Sequence, residues 1–271
     1  MKTKYVQVGS QRIAYYESEG TGSTMLFVHG NSASGRTFQH QLEGSLGHKY
    51  RIIAMDLPGH GDSDPASDLA AYGMPGYAKV VTAVAQALNA TDAILVGWSL
   101  GGHIVLEAHN LLPHAAGFVI YGTPPLAFPP AMEEAFLPNP AVNVGFTPDV
   151  TEEQAHAYAS AFFRKGSSVD PAPFVADVMK TDGQARAGLA ASIVPDGYQD
   201  EVKIVAELTR PLTILHGKGE TLVNDGYIAE LTMPTLWRGA IQYIEDAGHA
   251  VHWEQPEQFN NLLAAFAEDI A

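Results

Sequence analysis

The fold is set by Gly97-Trp98-Ser99-Leu100-Gly101-Gly102, a G-x-S-x-G turn between two regular patterns. The apolar run Ala93 to Gly97 predicts a buried strand, and His103 to Leu112 predicts a helix. Small residues on both sides of Ser99 allow a sharp turn there, which projects the hydroxyl above the sheet edge. The N-terminus of the helix adds positive potential at the same point. This context predicts Ser99 as a nucleophile.

Short apolar runs and helical patterns alternate on both sides of this turn. Two strands around Gly9-Ser10 form a predicted N-terminal hairpin. Continuous apolar runs suit strands that are covered on both faces, as in a parallel sheet flanked by helices. The sequence therefore predicts an α/β fold with a mostly parallel central sheet. Its further strands are expected at Met25 to His29, Tyr50 to Met55, Gly117 to Tyr121, Pro211 to His216 and Ala240 to Glu245.

The strand pattern is interrupted between residues 123 and 206. Prolines crowd residues 124–148, and helical patterns follow, one of which opens at Thr151-Glu-Glu-Gln154 with the form of a capping box. We therefore expect residues 1–122 and 207–271 to form the α/β core domain. Residues 123–206 are expected to form a helical cap inserted after the middle strand.

Composition excludes several classes of protein. The 271 residues carry 15 Lys and Arg against 30 Asp and Glu, and no basic run that could track a phosphate backbone, so we expect no nucleic-acid partner. The chain has no cysteine, which removes thiol nucleophiles and Cys-zinc sites. Neither a signal-peptide core nor an unbroken apolar span occurs. A cytoplasmic protein with no membrane partner is expected, and its oligomeric state is left open, a monomer included.

A serine nucleophile needs a general base, and eleven histidines compete for that role. His249 follows the last predicted strand, in the loop Glu245-Asp-Ala-Gly-His-Ala-Val-His252. Ligand chemistry collects in such loops at the carboxyl ends of sheet strands. His252 is the main competitor, but it lies closer to the terminal helix. His103 is assigned to packing or to support of the site. We therefore predict His249 as the base.

The imidazole needs a carboxylate that lies between nucleophile and base in chain order. Glu220 stands at the end of the predicted strand that begins at Pro211. Asp225 is the competitor, although it suits the start of a helix, and Asp246 suits bracing of the His249 loop. Glu220 is the predicted third member of a catalytic triad.

An oxyanion formed at Ser99 needs preorganised N–H donors. The amide of Leu100 directly follows the nucleophile, and Asn31 follows His29-Gly30 at the end of an earlier strand. We predict the backbone N–H groups of Asn31 and Leu100 as the oxyanion hole.

No cofactor or metal is predicted. The stretch Asp56-Leu-Pro-Gly-His60-Gly-Asp62 has metal-binding residue types, but a tight turn after a strand explains it better. The clustered histidines of a metal-dependent lactonase, a phosphate-binding loop and a dinucleotide fingerprint are all absent from the sequence.

The motifs HGNSASG, DLPGHGDSD, GWSLGGH and AGHAVHWEQPEQF stand in the order typical of the α/β-hydrolase family, which the chain resembles. GWSLGGH, YGTPP, TDGQAR and GKGETLV more narrowly resemble the metal-independent serine-type N-acyl-homoserine lactonases. The resemblance implies the triad Ser99, His249 and Glu220. It also implies that Tyr158 faces the substrate.

The resulting hypothesis is a serine hydrolase that opens the lactone ring of N-acyl-homoserine lactones through an acyl-enzyme, the chemistry of quorum quenching. Trp98 and Tyr158 are the expected substrate contacts. A general carboxylesterase is the alternative, followed by a non-hydrolytic reaction of the same triad and by a ligand receptor of this fold. An apolar acyl channel is expected among Leu126, Phe128, Met132, Phe136, Phe162 and Phe163.

Overall fold

The computed structural model describes residues 1–271 and is built around one sheet of eight strands. Their spatial order is β1-β2-β4-β3-β5-β6-β7-β8, with antiparallel pairing of β1 with β2 and of β2 with β4, and parallel pairing elsewhere. The predicted hairpin and mostly parallel sheet are thus confirmed. The strands are β1 (Lys4–Val8), β2 (Gln11–Glu17), β3 (Gly22–Val28), β4 (Tyr50–Met55), β5 (Ile94–Trp98), β6 (Gly117–Tyr121), β7 (Leu212–Gly217) and β8 (Gln242–Ile244).

Twelve α-helices connect and flank these strands, and 3-10 turns fill some of the connections. No helix is both long enough and apolar enough to cross a bilayer. The helices are α1 (Gln39–Leu42), α2 (Ser45–Lys49), α3 (Met74–Ala87), α4 (Leu100–Glu107), α5 (Met132–Ala135), α6 (Glu152–Ser160), α7 (Ala172–Lys180), α8 (Gly183–Ser192), α9 (Glu201–Glu207), α10 (Asp225–Ala229), α11 (Val251–Glu254) and α12 (Pro256–Asp269).

The helix after Ser99 differs from the prediction at both ends, because α4 begins at Leu100 and stops at Glu107. The predicted helix began after Gly101 and Gly102, at His103, and glycine does disfavour helical backbone. Packing overrides that preference. A methyl group at Gly101 would lie 2.0 Å from the carbonyl oxygen of Val28, and one at Gly102 would lie 2.0 Å from Oγ1 of Thr123. Only glycine lets the helix pack this closely against the sheet.

β5 lies in the middle of the sheet, and all five of its residues are buried. Helices cover both of its faces, which explains why its sequence is apolar throughout instead of alternating. The carboxyl end of β5, where Trp98 is followed by Ser99, is therefore held rigidly by its neighbours.

The segment between β6 and β7 holds α5 to α9 and no sheet strand. The capping box predicted at the start of α6 is confirmed: Thr151 Oγ1 accepts the Gln154 N–H, and Gln154 Oε1 accepts the Thr151 N–H. Asp177 on α7 accepts a 2.6 Å hydrogen bond from the Ser34 hydroxyl in the loop after β3. This contact ties the segment to the sheet near the end of β3. The division into a core domain and a cap at residues 123 and 206 stays a prediction.

Candidate active site

Ser99 occupies the turn between β5 and α4 in a strained backbone conformation, with φ of 53° and ψ of −120°. A methyl group at Gly97 would lie 2.3 Å from the carbonyl oxygen of Gly101, so the turn requires glycine there. The Ser99 N–H donates to the carbonyl oxygen of Tyr121 at 2.9 Å, and the Thr123 hydroxyl donates to the Ser99 carbonyl at 2.7 Å. These bonds hold a conformation that non-glycine residues seldom adopt.

His249 and Glu220 form a buried pair, each with a side chain only 3% exposed. His249 Nδ1 lies 2.9 Å from Glu220 Oε2, while Oε1 accepts the N–H groups of Thr221 and Leu222 at 2.9 and 2.8 Å. Burial alone would raise the pKa of Glu220. The charge and hydrogen bond of His249, with the Leu222 N–H, outweigh burial and lower that pKa. Glu220 is therefore an acceptor, and Nδ1 carries the proton that fixes the imidazole tautomer.

The loop that carries His249 is fixed beside the Ser99 turn. Trp98 Nε1 donates to the His249 carbonyl oxygen at 3.0 Å, and the Ala250 N–H donates to the carbonyl of Phe162 at 2.8 Å. A methyl group at Gly122, which follows β6, would lie 2.6 Å from His249 Cε1. Gly122 and Ser99 line the same cavity. The structure thus packs the His249 ring against Gly122, in the wall of the cavity that Ser99 also lines.

The two predicted oxyanion donors flank Ser99. A methyl group at Gly30 would lie 3.1 Å from Ser99 Cβ, so the loop carrying Asn31 packs directly against the nucleophile turn. The Asn31 amide side chain is engaged elsewhere, because Nδ2 donates to the Gly145 carbonyl at 2.6 Å. Leu100 is the first residue of α4, where a backbone N–H has no partner within the helix. The backbone N–H groups are thus the available donors.

The two expected substrate contacts, Tyr158 and Trp98, differ in their position relative to the cavity. Tyr158 lines the cavity and packs edge-on against Phe162, with ring centroids 4.8 Å apart. Burial raises its pKa, so the phenol stays protonated and can donate. Trp98 is 1% exposed and lies outside the cavity wall, with its indole N–H committed to His249. The structure gives Trp98 the role of holding the His249 loop, not the expected substrate contact.

The cavity next to Ser99 has a volume of about 100 Å³ and is mostly apolar, with 11 hydrophobic residues among its 16. Leu126, Met132 and Phe136 from the expected acyl channel line it. Phe128 is exposed, and Phe162 and Phe163 belong to the core. The 16 residues are Asn31, Met74, Ser99, Leu100, His103, Gly122, Leu126, Pro130, Met132, Phe136, Val142, Phe146, Tyr158, Leu189, Ile193 and Tyr198.

His103 is a wall residue whose place the sequence reasoning missed. Its Nδ1 lies 2.8 and 2.9 Å from the two carboxylate oxygens of Glu201, at the start of α9. The available signal was the spacing, since His103 follows Ser99 by one helical turn. A glutamate 98 positions away could not be paired with it from sequence.

The competing candidates, His252 for the general base and Asp225 for the acid, have other neighbours in the structure. His252 is fully buried, and its ring packs on Trp98 with centroids 4.8 Å apart. Asp225 starts α10 and accepts a 2.9 Å hydrogen bond from the Tyr243 hydroxyl. Of the two predicted acid candidates, Glu220 is the carboxylate in contact with His249.

Asp56 braces the turn after β4. Its carboxylate accepts the backbone N–H groups of Gly35 and Asp62, each at 2.7 Å, and burial raises its pKa to about 6. His60, in the same turn, packs against His29 with ring centroids 5.1 Å apart. These contacts account for the Asp56-to-Asp62 motif as a tight turn that supports the loop carrying Asn31.

Comparisons with known proteins find similar hydrolases. A structure of the N-acyl homoserine lactonase AidH, bound to N-hexanoyl homoserine lactone, is 36% identical with a TM-score of 0.95, covering 100% of this chain and 99% of that one. An esterase from Rhodococcus sp. has a TM-score of 0.82 at 23% identity over 100% of both chains, which shows a shared fold. The AB hydrolase superfamily protein YisY of Bacillus subtilis is 24% identical over 97% of this chain and 98% of its own.

The sequence profile of the Alpha/beta hydrolase family matches residues 25–262, which include every strand from β4 to β8 and the whole cavity wall. The resemblance drawn from the sequence motifs is therefore confirmed. This chain belongs to the α/β hydrolase family.

Proposed function

We propose that this protein is a serine hydrolase that opens the lactone ring of N-acyl-homoserine lactones and so inactivates quorum signals. The observation that carries the proposal is an apolar cavity lined by both Ser99 and Gly122, with the imidazole of the His249–Glu220 pair packed against Gly122. An apolar wall suits an acyl chain, and a serine hydroxyl in that wall suits attack on the ester. The 36% identity with AidH over the whole chain supports the lactone as substrate class.

The proposed reaction begins when His249 Nε2 takes the Ser99 proton as Oγ attacks the lactone carbonyl. Glu220 stabilises the imidazolium from the Nδ1 side, and the N–H groups of Asn31 and Leu100 stabilise the oxyanion. His249 then donates its proton to the ring oxygen, which breaks the ring ester bond and leaves an acyl-enzyme. Water, deprotonated by His249, attacks this ester, and the proton returns to Ser99 as the N-acyl-homoserine leaves.

Ring opening leaves the alcohol tethered to the acyl group, where it can close the ring again. Intramolecular nucleophiles reach effective concentrations on the order of 10⁵ M or more, so hydrolysis requires that the alcohol be held away from the carbonyl. The protonated Tyr158 hydroxyl, which lines the cavity, is the proposed holder. Tyr158→Phe should then lower lactone turnover more than turnover of a p-nitrophenyl ester, which releases its alcohol. Equal losses on both substrates would remove this role.

Proton release tests the function directly. N-acyl-homoserine lactones of several chain lengths are added to the protein in a pH-stat with a chelator present, and Ser99→Ala serves as the control. We expect acid release by the protein and none by the variant. Turnover of p-nitrophenyl esters without lactones would instead support the carboxylesterase. Failure of a fluorophosphonate to label Ser99 in folded protein would contradict any serine hydrolase.

A further inference from the structure

A second histidine–glutamate pair is formed by His103 on α4, which lines the cavity, and Glu201 on α9. The Glu201 carboxylate is fully buried and also accepts the N–H of Leu126 at 2.8 Å. The proposed reaction uses neither residue. A buried carboxylate that is held by a wall histidine needs a reason beyond packing.

The geometry of the pair shows which nitrogen of the His103 ring is free. An ionised carboxylate only accepts hydrogen bonds, so His103 Nδ1, at 2.8 and 2.9 Å from Glu201, carries a proton. In the neutral ring, Nε2 then bears a lone pair. Nε2 has no partner in the protein, and it is not among the fully enclosed polar atoms that lack one. It is therefore open to the cavity, where the neutral ring presents it as an acceptor.

Most other polar side chains of the wall are already engaged. Asn31 Nδ2 donates to Gly145, and Asn31 Oδ1 accepts the Ser32 hydroxyl. The Tyr198 hydroxyl donates to the carbonyl of Ala127 at 2.8 Å. Besides Ser99 and Tyr158, His103 is the wall side chain with a free polar atom, and that atom is Nε2.

We propose that His103 Nε2 accepts a hydrogen bond from the amide N–H of the substrate, and that this bond selects lactones carrying an N–H on the carbon next to the scissile carbonyl. Ser99 directly precedes α4, His103 lies in its first turn, and both line the cavity, so a substrate N–H next to the scissile carbonyl can lie between them. Glu201 acts as a positioning residue, because it fixes the tautomer and the orientation of the ring. The inference rests on the proposed function, since it concerns the same cavity.

The test compares two substrates in two variants. The substrates are N-hexanoyl-homoserine lactone and its carba-analogue, in which CH₂ replaces the amide N–H and no hydrolysable bond is added. His103→Asn retains a donor for Glu201 in place of Nδ1 and deletes Nε2. His109→Asn is the matched control on the same stretch of chain, outside the cavity wall. We expect the wild type and His109→Asn to prefer the amide in kcat/KM by on the order of tenfold, and His103→Asn to lose most of that preference.

The possible outcomes distinguish failure of the inference about His103 from failure of the proposed function. A preference that survives in His103→Asn, or an equal loss on both lactones, overturns the inference and leaves the proposed function intact. Turnover of p-nitrophenyl esters without either lactone overturns the proposed function, and the inference with it.

A second measurement tests the inference without the His103→Asn variant, in case that variant does not fold. The ¹⁵N shift of His103 Nε2 is followed by NMR in Ser99→Ala as each lactone is added. A shift with the amide and none with the carba-analogue supports the hydrogen bond. Identical responses to the two ligands overturn it.

Discussion

Two histidine–glutamate pairs lie beside the Ser99 cavity, one packed against Gly122 and the other reaching the wall through His103, and they share one local geometry. In each, Nδ1 lies within 2.9 Å of a buried carboxylate, which also accepts at least one backbone N–H. They differ in the elements that carry them. His249 and Glu220 follow β8 and β7 at the carboxyl edge of the sheet, while His103 and Glu201 belong to α4 and α9. The two pairs have the same chemistry, so the different roles proposed for them follow from the elements that carry them.

The largest expected effect comes from the same substitution in the two histidines. Asparagine retains a donor for the glutamate in each pair and removes Nε2. We expect His249→Asn to lower kcat/KM about 10⁶-fold on both lactones and p-nitrophenyl esters, because Nε2 is the proton acceptor for Ser99. His103→Asn should lower kcat/KM on an amide-bearing lactone on the order of tenfold. Steady-state kinetics on both substrates check this.

Comparable losses above a hundredfold in both histidine variants would show that the two pairs share one role. Near-wild-type activity of His249→Asn would instead remove it as the base. Labelling of Ser99 by a fluorophosphonate provides a control for an intact nucleophile turn in each variant.

Substitution of the two glutamates also distinguishes the two pairs, with a smaller expected effect on activity than substitution of the histidines. Glu220→Gln should lower kcat about 10³-fold while the fold is retained, because the imidazolium loses its stabilising charge and its tautomer is no longer fixed. Glu201→Gln should lower kcat/KM on an amide-bearing lactone by no more than about tenfold, because the His103 tautomer is no longer fixed. It should also cost about 1–3 kcal/mol in the free energy of unfolding, because a buried charge-assisted hydrogen bond is lost. Kinetics and urea denaturation of both variants measure the contrast. A thousandfold loss of kcat in Glu201→Gln would contradict it.

The fold was predictable because its signals are local. β5 and the turn at Ser99 are contiguous in sequence, and the apolar runs of β4 and β6 match the predicted strands residue for residue. The start of α4 was missed because Gly101 and Gly102 weaken a helical signal, and their reason lies in contacts with Val28 and Thr123, which are distant in sequence. Propensity describes an isolated segment, whereas packing selects the residue here.

The site was predictable to the extent that chain order constrains it. Glu220 and His249 each follow a strand, and strand ends of a parallel sheet meet at one edge, so their contact could be expected. His103 and Glu201 follow no such rule. Glu201 has the sequence context of an ordinary first-turn acid, with Asp200 as its N-cap, and only the packing of α9 on α4 reveals its partner. The burial of Trp98 could not be predicted from sequence either, because an aromatic residue beside a nucleophile can either line the cavity or support the loop behind it.

The smallest expected effect concerns His252, a histidine without a carboxylate. Both of its ring nitrogens are buried without a partner, and burial, together with His249 and His40, lowers its pKa well below 6.5. The unfolded chain therefore binds a proton below pH 6.5 that the folded protein does not, so this group costs stability as pH falls from 6.5, by up to about 1.4 kcal/mol per pH unit. His252→Phe retains the ring and removes the proton site. Between pH 7 and pH 5.5 its free energy of unfolding should fall by about 1 kcal/mol less than that of the wild type, measured by urea denaturation. Parallel pH profiles would mean that His252 is protonated in the folded state, which its apolar surroundings oppose.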